Sequence, residues 1–287
     1  PLLPLLPSPP PPPPPPTGVA AMAVDSARAS ATSWLQGLPV VGGLVSGTPP
    51  PPPPSALDSL EMAMMPMLDA LNHNSGATVS CAFDAERNAF VLTAGAPIRK
   101  GEQVFLSYGL KSNDELLQLF GFVEEANPYD NFLSIGLEEH VAAQSAKLFG
   151  SEAEMARRFS LVDQLRLRPA LVAEVQPRGA PPDTMHALRL LLGSAKEVEG
   201  DLAALATPRS LDTEERVWGV LQSYCKLARG AMGGSRSSDL KEAQGAPPRR
   251  AMALQFRAEK KRVLSELEGR LQLVQARSRK AKRVLPL

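Results

Sequence analysis

Gly101-Glu102-Gln103-Val104-Phe105-Leu106-Ser107-Tyr108-Gly109, resumed after five residues by Glu115-Leu116-Leu117-Gln118-Leu119-Phe120-Gly121-Phe122, is the stretch that decides the fold. Its alternation over 103–108 predicts a strand with Val104, Leu106 and Tyr108 on one face and Gln103, Phe105 and Ser107 on the other. Ser112 or Asn113 then offers an N-cap, and Asp114 and Glu115 sit where acids favour a first helical turn. Leu116, Leu119 and Phe120 supply an apolar stripe over 114–120, and Gly121 supplies the stop. A lone tyrosine therefore stands where a strand gives way to a helix, a place where folds often present their chemistry.

Upstream, Asn72-His73-Asn74-Ser75-Gly76 is a turn by composition. The alternating runs at 78–83 and 89–93, split by Asp84-Ala85-Glu86-Arg87-Asn88, read as a hairpin, with Cys81 expected in its core. Helical spacing at 57–71 is interrupted by Pro66. Before that the chain changes character. The first 54 residues hold 18 of the 29 prolines and only two charges, Asp25 and Arg28, so 1–56 is expected to be a disordered, Pro-rich leader.

Downstream of 133 the apolar period becomes helical. Helices are expected at 138–148, 152–159, 169–174, 184–192, 197–206 and 212–231, then a polar loop at 230–248 and a last helix at 252–276. That helix carries a stripe of Leu254, Ala258, Val263, Leu267, Leu271 and Val274. His140 and His186 lie on helical faces and read as structural. Residues 249–283 hold 12 Lys or Arg against 3 Asp or Glu, a net +9 in a chain of net +1. A solvated face is the expected use of those charges. Nucleic acid is not an expected partner, because Phe256 alone is interleaved with the cations.

Two cysteines without C-x-x-C spacing, and three histidines, argue against structural zinc and a disulfide framework, and no metal is expected. A reducing compartment follows from the cysteine usage. Nowhere does an apolar run approach the ~18 residues of a membrane span, so no membrane partner is expected.

Pro66-Met67-Leu68-Asp69-Ala70-Leu71-Asn72-His73-Asn74 resembles the P-x-x-D-x-x-N-H segment of SET-domain methyltransferases. Gly101-Glu102-Gln103-Val104, Tyr108-Gly109, Ser112-Asn113 and the run from Leu116 to Phe122 resemble the signature of one branch, typified by the plant Rubisco large-subunit lysine methyltransferase. The likeness rests on motifs over about 62–132 and on architecture from 133 to 283. It implies an α+β fold: a partial SET β-fold at 57–132, the C-terminal half of that core, followed by an all-α substrate-binding domain at 133–283.

The resemblance further implies methylation of a lysine on a protein substrate, with S-adenosyl-L-methionine as cofactor. A lysine amine, with a reference pKa of about 10.4, must lose its proton before it attacks, so a dry channel and an oriented lone pair carry most of the catalysis. The family's Y-G tyrosine has that orienting role and matches Tyr108. Its N-H motif holds the cofactor and matches Asn72 and His73, and Phe120 or Phe122 matches an aromatic beside the cofactor. One relative class modifies histidine, so the motif leaves the acceptor open. The family's N-terminal Gly-x-Gly cofactor segment has no match here. The chain is therefore expected to be part of a longer enzyme, with apolar strand faces left exposed. Its substrates would lie in the chloroplast or cytoplasm. The alternative is a catalytically inert interaction module that uses the helical domain.

Overall fold

The computed structural model describes residues 64–286, so the expected leader at 1–56 and the start of the spacing at 57–71 lie outside the described residues. The fold is mixed, with short strands up to residue 133 and helices dominating beyond. Two compact units divide the chain between Ser107 and Tyr108, a different division from the one implied by the resemblance.

In the first unit, 64–71 forms a turn and not a helix. Pro66 breaks the spacing, Met67 takes a positive φ of 71°, and Asp69 N donates to Met65 O at 3.0 Å. Strand β1 (Asn72–His73) pairs in parallel with β4 (Phe105–Leu106). Two expectations change here. Asn72-His73 is strand, with the turn beginning at Asn74, whose Oδ1 accepts from Gly76 N at 2.8 Å. The strand expected at 103–108 pairs only at Phe105–Leu106, so Tyr108 lies just past it.

Strands β2 (Val79–Asp84) and β3 (Ala89–Ala94) form the expected hairpin, in register Phe83↔Phe90. Its connection is stabilised where Asp84 Oδ1 accepts from Glu86 N and Arg87 N, both at 3.0 Å. Phe83 and Phe90 meet edge to face at 5.3 Å, yet both rings remain more than half exposed. The expected uncovered apolar strand face is present. Cys81 is half-buried on this hairpin and does not belong to a core.

The second unit opens with α1 (Asn113–Phe120) and continues through β5 (Phe132–Leu133), α2 (Leu137–Phe149) and α3 (Glu152–Gln164). Its centre is α4 (Pro182–Leu192), buried at eight of its eleven positions. A helix apolar nearly all round belongs inside. Burying its C-terminal end leaves carbonyls in need of donors. Arg158, itself 1% exposed, donates to Leu190 O at 3.1 Å and Gly193 O at 2.8 Å while stacking over Phe149. Arg216 donates to Leu192 O at 3.2 Å.

Against this centre packs α6 (Leu211–Ala231), against α6 packs α8 (Pro248–Ala281), and against α8 packs α7 (Arg236–Ala243), while the short α5 (Ala195–Val198) follows α4 in the chain. Val217, Trp218, Val220, Leu221, Tyr224 and Cys225 form the buried face of α6. The six stripe residues expected on the last helix are all buried. His140 contacts Ser223 Oγ at 2.7 Å and His186 contacts Leu202 O at 2.9 Å, so both are structural.

Four helical expectations are corrected. The run at 169–174 is a 3₁₀ turn, Arg168–Leu171, followed by β6 (Glu174–Val175), which pairs antiparallel with β5. Ser134 draws that backbone into extended pairing: its N donates to Ala173 O and its Oγ accepts from Ala173 N, both at 2.9 Å. The region from 133 is thus not purely helical. The run at 197–206 breaks at Gly200 into α5 and a 3₁₀ turn, Leu202–Ala206. The polar loop at 230–248 contains α7, which has a Ser235/Ser238 capping box and no strong apolar stripe. The last helix starts at Pro248, four residues earlier than expected, and runs to Ala281.

Glu197 gives the helical unit an acid sensitivity. Burial alone would raise its carboxyl, but hydrogen bonds from Thr213, Ser194 and Ser210 outweigh burial and lower it to about 2. A depressed folded-state value contributes stability above the unfolded carboxylate range, near 4.3, and loses it as pH falls toward 2. Urea unfolding at pH 5 and pH 2.5 should show Glu197→Gln flattening this acid loss by about 1–2 kcal/mol, discounted for partial exposure.

Candidate functional site

Tyr108 begins the second unit, and Gly109 follows it with φ 98°, a value that favours glycine. Its ring lies against Phe120 at 4.7 Å between centroids, tilted 44°, and Phe120 lies 6.3 Å from Phe122. Three residues singled out from sequence therefore form one aromatic cluster. Phe120 is 46% exposed, and Leu119 next to it in sequence is more exposed still, so the cluster carries apolar surface open to solvent.

Helix α1 sets this geometry, and its ends are tightly specified. Ser112 is the N-cap: its Oγ accepts from Glu115 N, and Glu115 Oε2 accepts from Ser112 N at 2.9 Å, a complete capping box. Gly121 closes the helix at φ 76° with its N–H on Leu117 O. Only Leu116 and Asn113 of the helix are buried, so apolar packing alone cannot fix it.

A polar network supplies the rest. Asn113 is fully buried; its N and Nδ2 donate to the two oxygens of Asp130, each at 3.0 Å. Nδ2 also donates to Glu124 O at 3.0 Å, and Oδ1 accepts from Glu124 N at 2.9 Å. Asn127 Nδ2 donates to Lys111 O at 2.9 Å. The loop after α1 is thereby stapled to the start of α1.

Lys260 of α8 reaches into the same network. Its ammonium, 6% exposed, meets Asp130 Oδ1 at 2.7 Å, Asn131 O at 2.8 Å and the Asp114 carboxylate. Neighbouring Glu259 accepts from Ala126 N at 3.0 Å and from Arg262 Nε at 2.6 Å. Lys261 meets Asp239 Oδ2 at 2.7 Å, with both side chains buried. Burial would raise the Asp239 carboxyl, but hydrogen bonds from Arg257 and Lys261 prevail and hold it below its usual value. The middle of the basic helix is therefore internal ion pairing, not the solvated face expected of it.

The other two expected site residues lie in the first unit. Asn72 is exposed on β1, and His73 is buried with Nε2 at 3.4 Å from Ser75 Oγ. Sequence reasoning passed over Asp130, Glu259 and Lys260. Their partners lie up to 146 residues away, and each alone reads as an ordinary surface charge. The available signal was Asn113, a second polar residue directly after a sufficient cap.

Residues 138–264 match the family model described as Rubisco LSMT substrate-binding. The chain is 28% identical over 179 residues to the actin-histidine N-methyltransferase of Drosophila melanogaster, covering 58% of this chain and 31% of the relative. It is 26% identical over 233 residues to the chloroplastic [fructose-bisphosphate aldolase]-lysine N-methyltransferase of Arabidopsis thaliana, covering 75% and 46%. A solved structure of Rubisco LSMT bound to sinefungin and monomethyllysine superposes with a TM-score of 0.47 at 21% identity, over 78% of this chain and 52% of that one. The chain is similar to SET-domain protein methyltransferases, and it spans less than half the length of those two relatives. Among the described residues no helix is long and apolar enough to cross a membrane.

Removing the Lys260 ammonium leaves Asp130 buried without its cation. Lys260→Ala should cost about 3–5 kcal/mol in urea unfolding. If the pair matters through burial, Arg87→Ala on the exposed hairpin turn should change stability by less than about 0.5 kcal/mol.

Proposed function

We propose that this chain is part of a protein methyltransferase that uses S-adenosyl-L-methionine to methylate a lysine side chain of a protein substrate. The observation that carries the reading is the Tyr108–Phe120–Phe122 cluster at the end of a capped helix, in a chain whose helical segment matches a substrate-binding family. In this reading 57–132 is the C-terminal half of a SET core and 133–283 the substrate-binding domain. The sulfonium cofactor, when bound, supplies the electrophilic methyl group. A partly exposed phenylalanine face suits stacking by a heteroaromatic ring, and the exposed Asn72 amide offers both a donor and an acceptor.

The chain's own groups have limited tasks. Tyr108 presents its hydroxyl to the substrate amine and orients the lone pair, while Phe120 and Phe122 keep water from the nitrogen and so disfavour its charged form. Asn72 and His73 take the cofactor contacts that the resemblance assigns to them. The helical domain holds the protein substrate. A chloroplast location is favoured by the chloroplastic Arabidopsis relative. The competing reading, an inert interaction module, draws on the family match being confined to the helical segment.

Calorimetry with S-adenosyl-L-methionine separates the two, using the natural polypeptide that contains this chain. Saturable binding supports the enzyme, and its absence favours the module. With binding established, Tyr108→Phe should lower methyl transfer about 10²-fold while leaving cofactor affinity within about threefold. Equal losses of affinity and rate would reduce Tyr108 to a structural residue.

A further inference from the structure

We propose that the outer face of the distal third of α8 is a docking surface for an acidic, amphipathic protein segment. This surface stands apart from the methyl-transfer reading. The cations of α8 divide into two groups. Those from Arg250 to Arg262 are spent within the fold: Arg250 on Glu242, Arg257 and Lys261 on Asp239, Lys260 on Asp130, and Arg262 on Glu259 and Glu266; near the end, Arg279 is spent on Glu215. Downstream, Arg270, Arg277 and Lys280 are exposed and form no ion pair among the described residues. Their spacing of seven and three residues puts them on one face of the helix.

That face has a further composition that charge alone does not explain. Leu273, between Arg270 and Arg277 on the same face, is 50% exposed. Gly269 lies in the helix interior, where glycine costs about 1 kcal/mol relative to alanine. A Cβ added there meets nothing within 4 Å, so no internal packing calls for the glycine. The open space lets a partner backbone approach the helix closely, and exposed Ala276 widens it. The helix dipole favours cations in the last turn, Arg279 and Lys280, but not Arg270 well upstream.

The occupant follows from complementarity. Three unspent cations around one apolar side chain fit carboxylates flanking an apolar residue on a helical or extended segment. No aromatic residue lies on the face for base stacking, which disfavours single-stranded nucleic acid.

The test is fluorescence anisotropy with a fluorescein-labelled peptide of about 20 residues carrying Glu and Leu at helical spacing. Wild type should bind it at low salt, and affinity should fall as salt rises. The double variant Arg277→Glu/Lys280→Glu should weaken binding at least about tenfold, whereas Arg87→Glu on the hairpin turn should not. Gly269→Gln should also weaken binding although it favours the helix, which circular dichroism would verify, so the loss cannot come from unfolding. Absence of binding by wild type, undiminished binding by the double variant, or tighter binding of duplex DNA than of the peptide would each overturn the proposal.

Discussion

The burial of the Lys260 ammonium against Asp130 is the constraint on which the second unit is organised. The two side chains are 6% and 0% exposed and lie 130 residues apart in sequence. Taking both charges out of water is costly, so the pair need not add net stability over an apolar substitute. What it fixes is position. Asp130 spends its oxygens on Asn113 and Lys260 together, and Asn113 in turn holds the loop after α1 by both ends of its amide. A segment with Leu116 as its buried apolar anchor thereby gains one location against α8. The residue that opens this segment is Tyr108.

The helical centre solves a different problem by the same means. Helix α4 is buried almost throughout, so its terminal carbonyls are cut off from water. Arg158, Arg216 and the Arg189–Glu214 pair, whose Nε–Oε1 distance is 2.5 Å, satisfy the polar groups at and beside it. An orphaned buried carbonyl would cost about 1–3 kcal/mol, and one guanidinium meeting two of them removes most of that cost. The helical unit thus relies on buried arginine, which composition alone would assign to the surface.

Legibility in the sequence followed the range of the interactions. Helix α1 was readable almost to the residue because Ser112, Glu115 and Gly121 specify its ends locally, and the hairpin was readable for the same reason. The cores of α6 and α8 emerged from apolar spacing. Failures occurred where a distant partner decides. Ser134 draws 173–175 into a strand, Asp239 anchors a helix that has little apolar signal, and β1 needs β4 to exist at all. The candidate site divides in the same way. Tyr108, Phe120 and Phe122 come together because α1, which ends at Phe120, connects the segments that carry them, whereas Asn72 and His73 belong to the other unit and owe their prominence to the motif alone.

Helix α8 shows why a basic run cannot be interpreted from its charge. Over 34 residues it presents a continuous apolar stripe to α6, a middle section whose cations are neutralised by Asp130, Asp239 and Glu259, and an end where, Arg279 on Glu215 apart, they are not. The +9 excess of the sequence is the sum of these unlike parts. Buried cations in the middle are fixed by geometry and barely screened by salt, whereas those at the end keep full hydration and respond to ionic strength. Substitution in the two regions therefore has opposite consequences: loss of fold in the middle, and loss of whatever the end attracts.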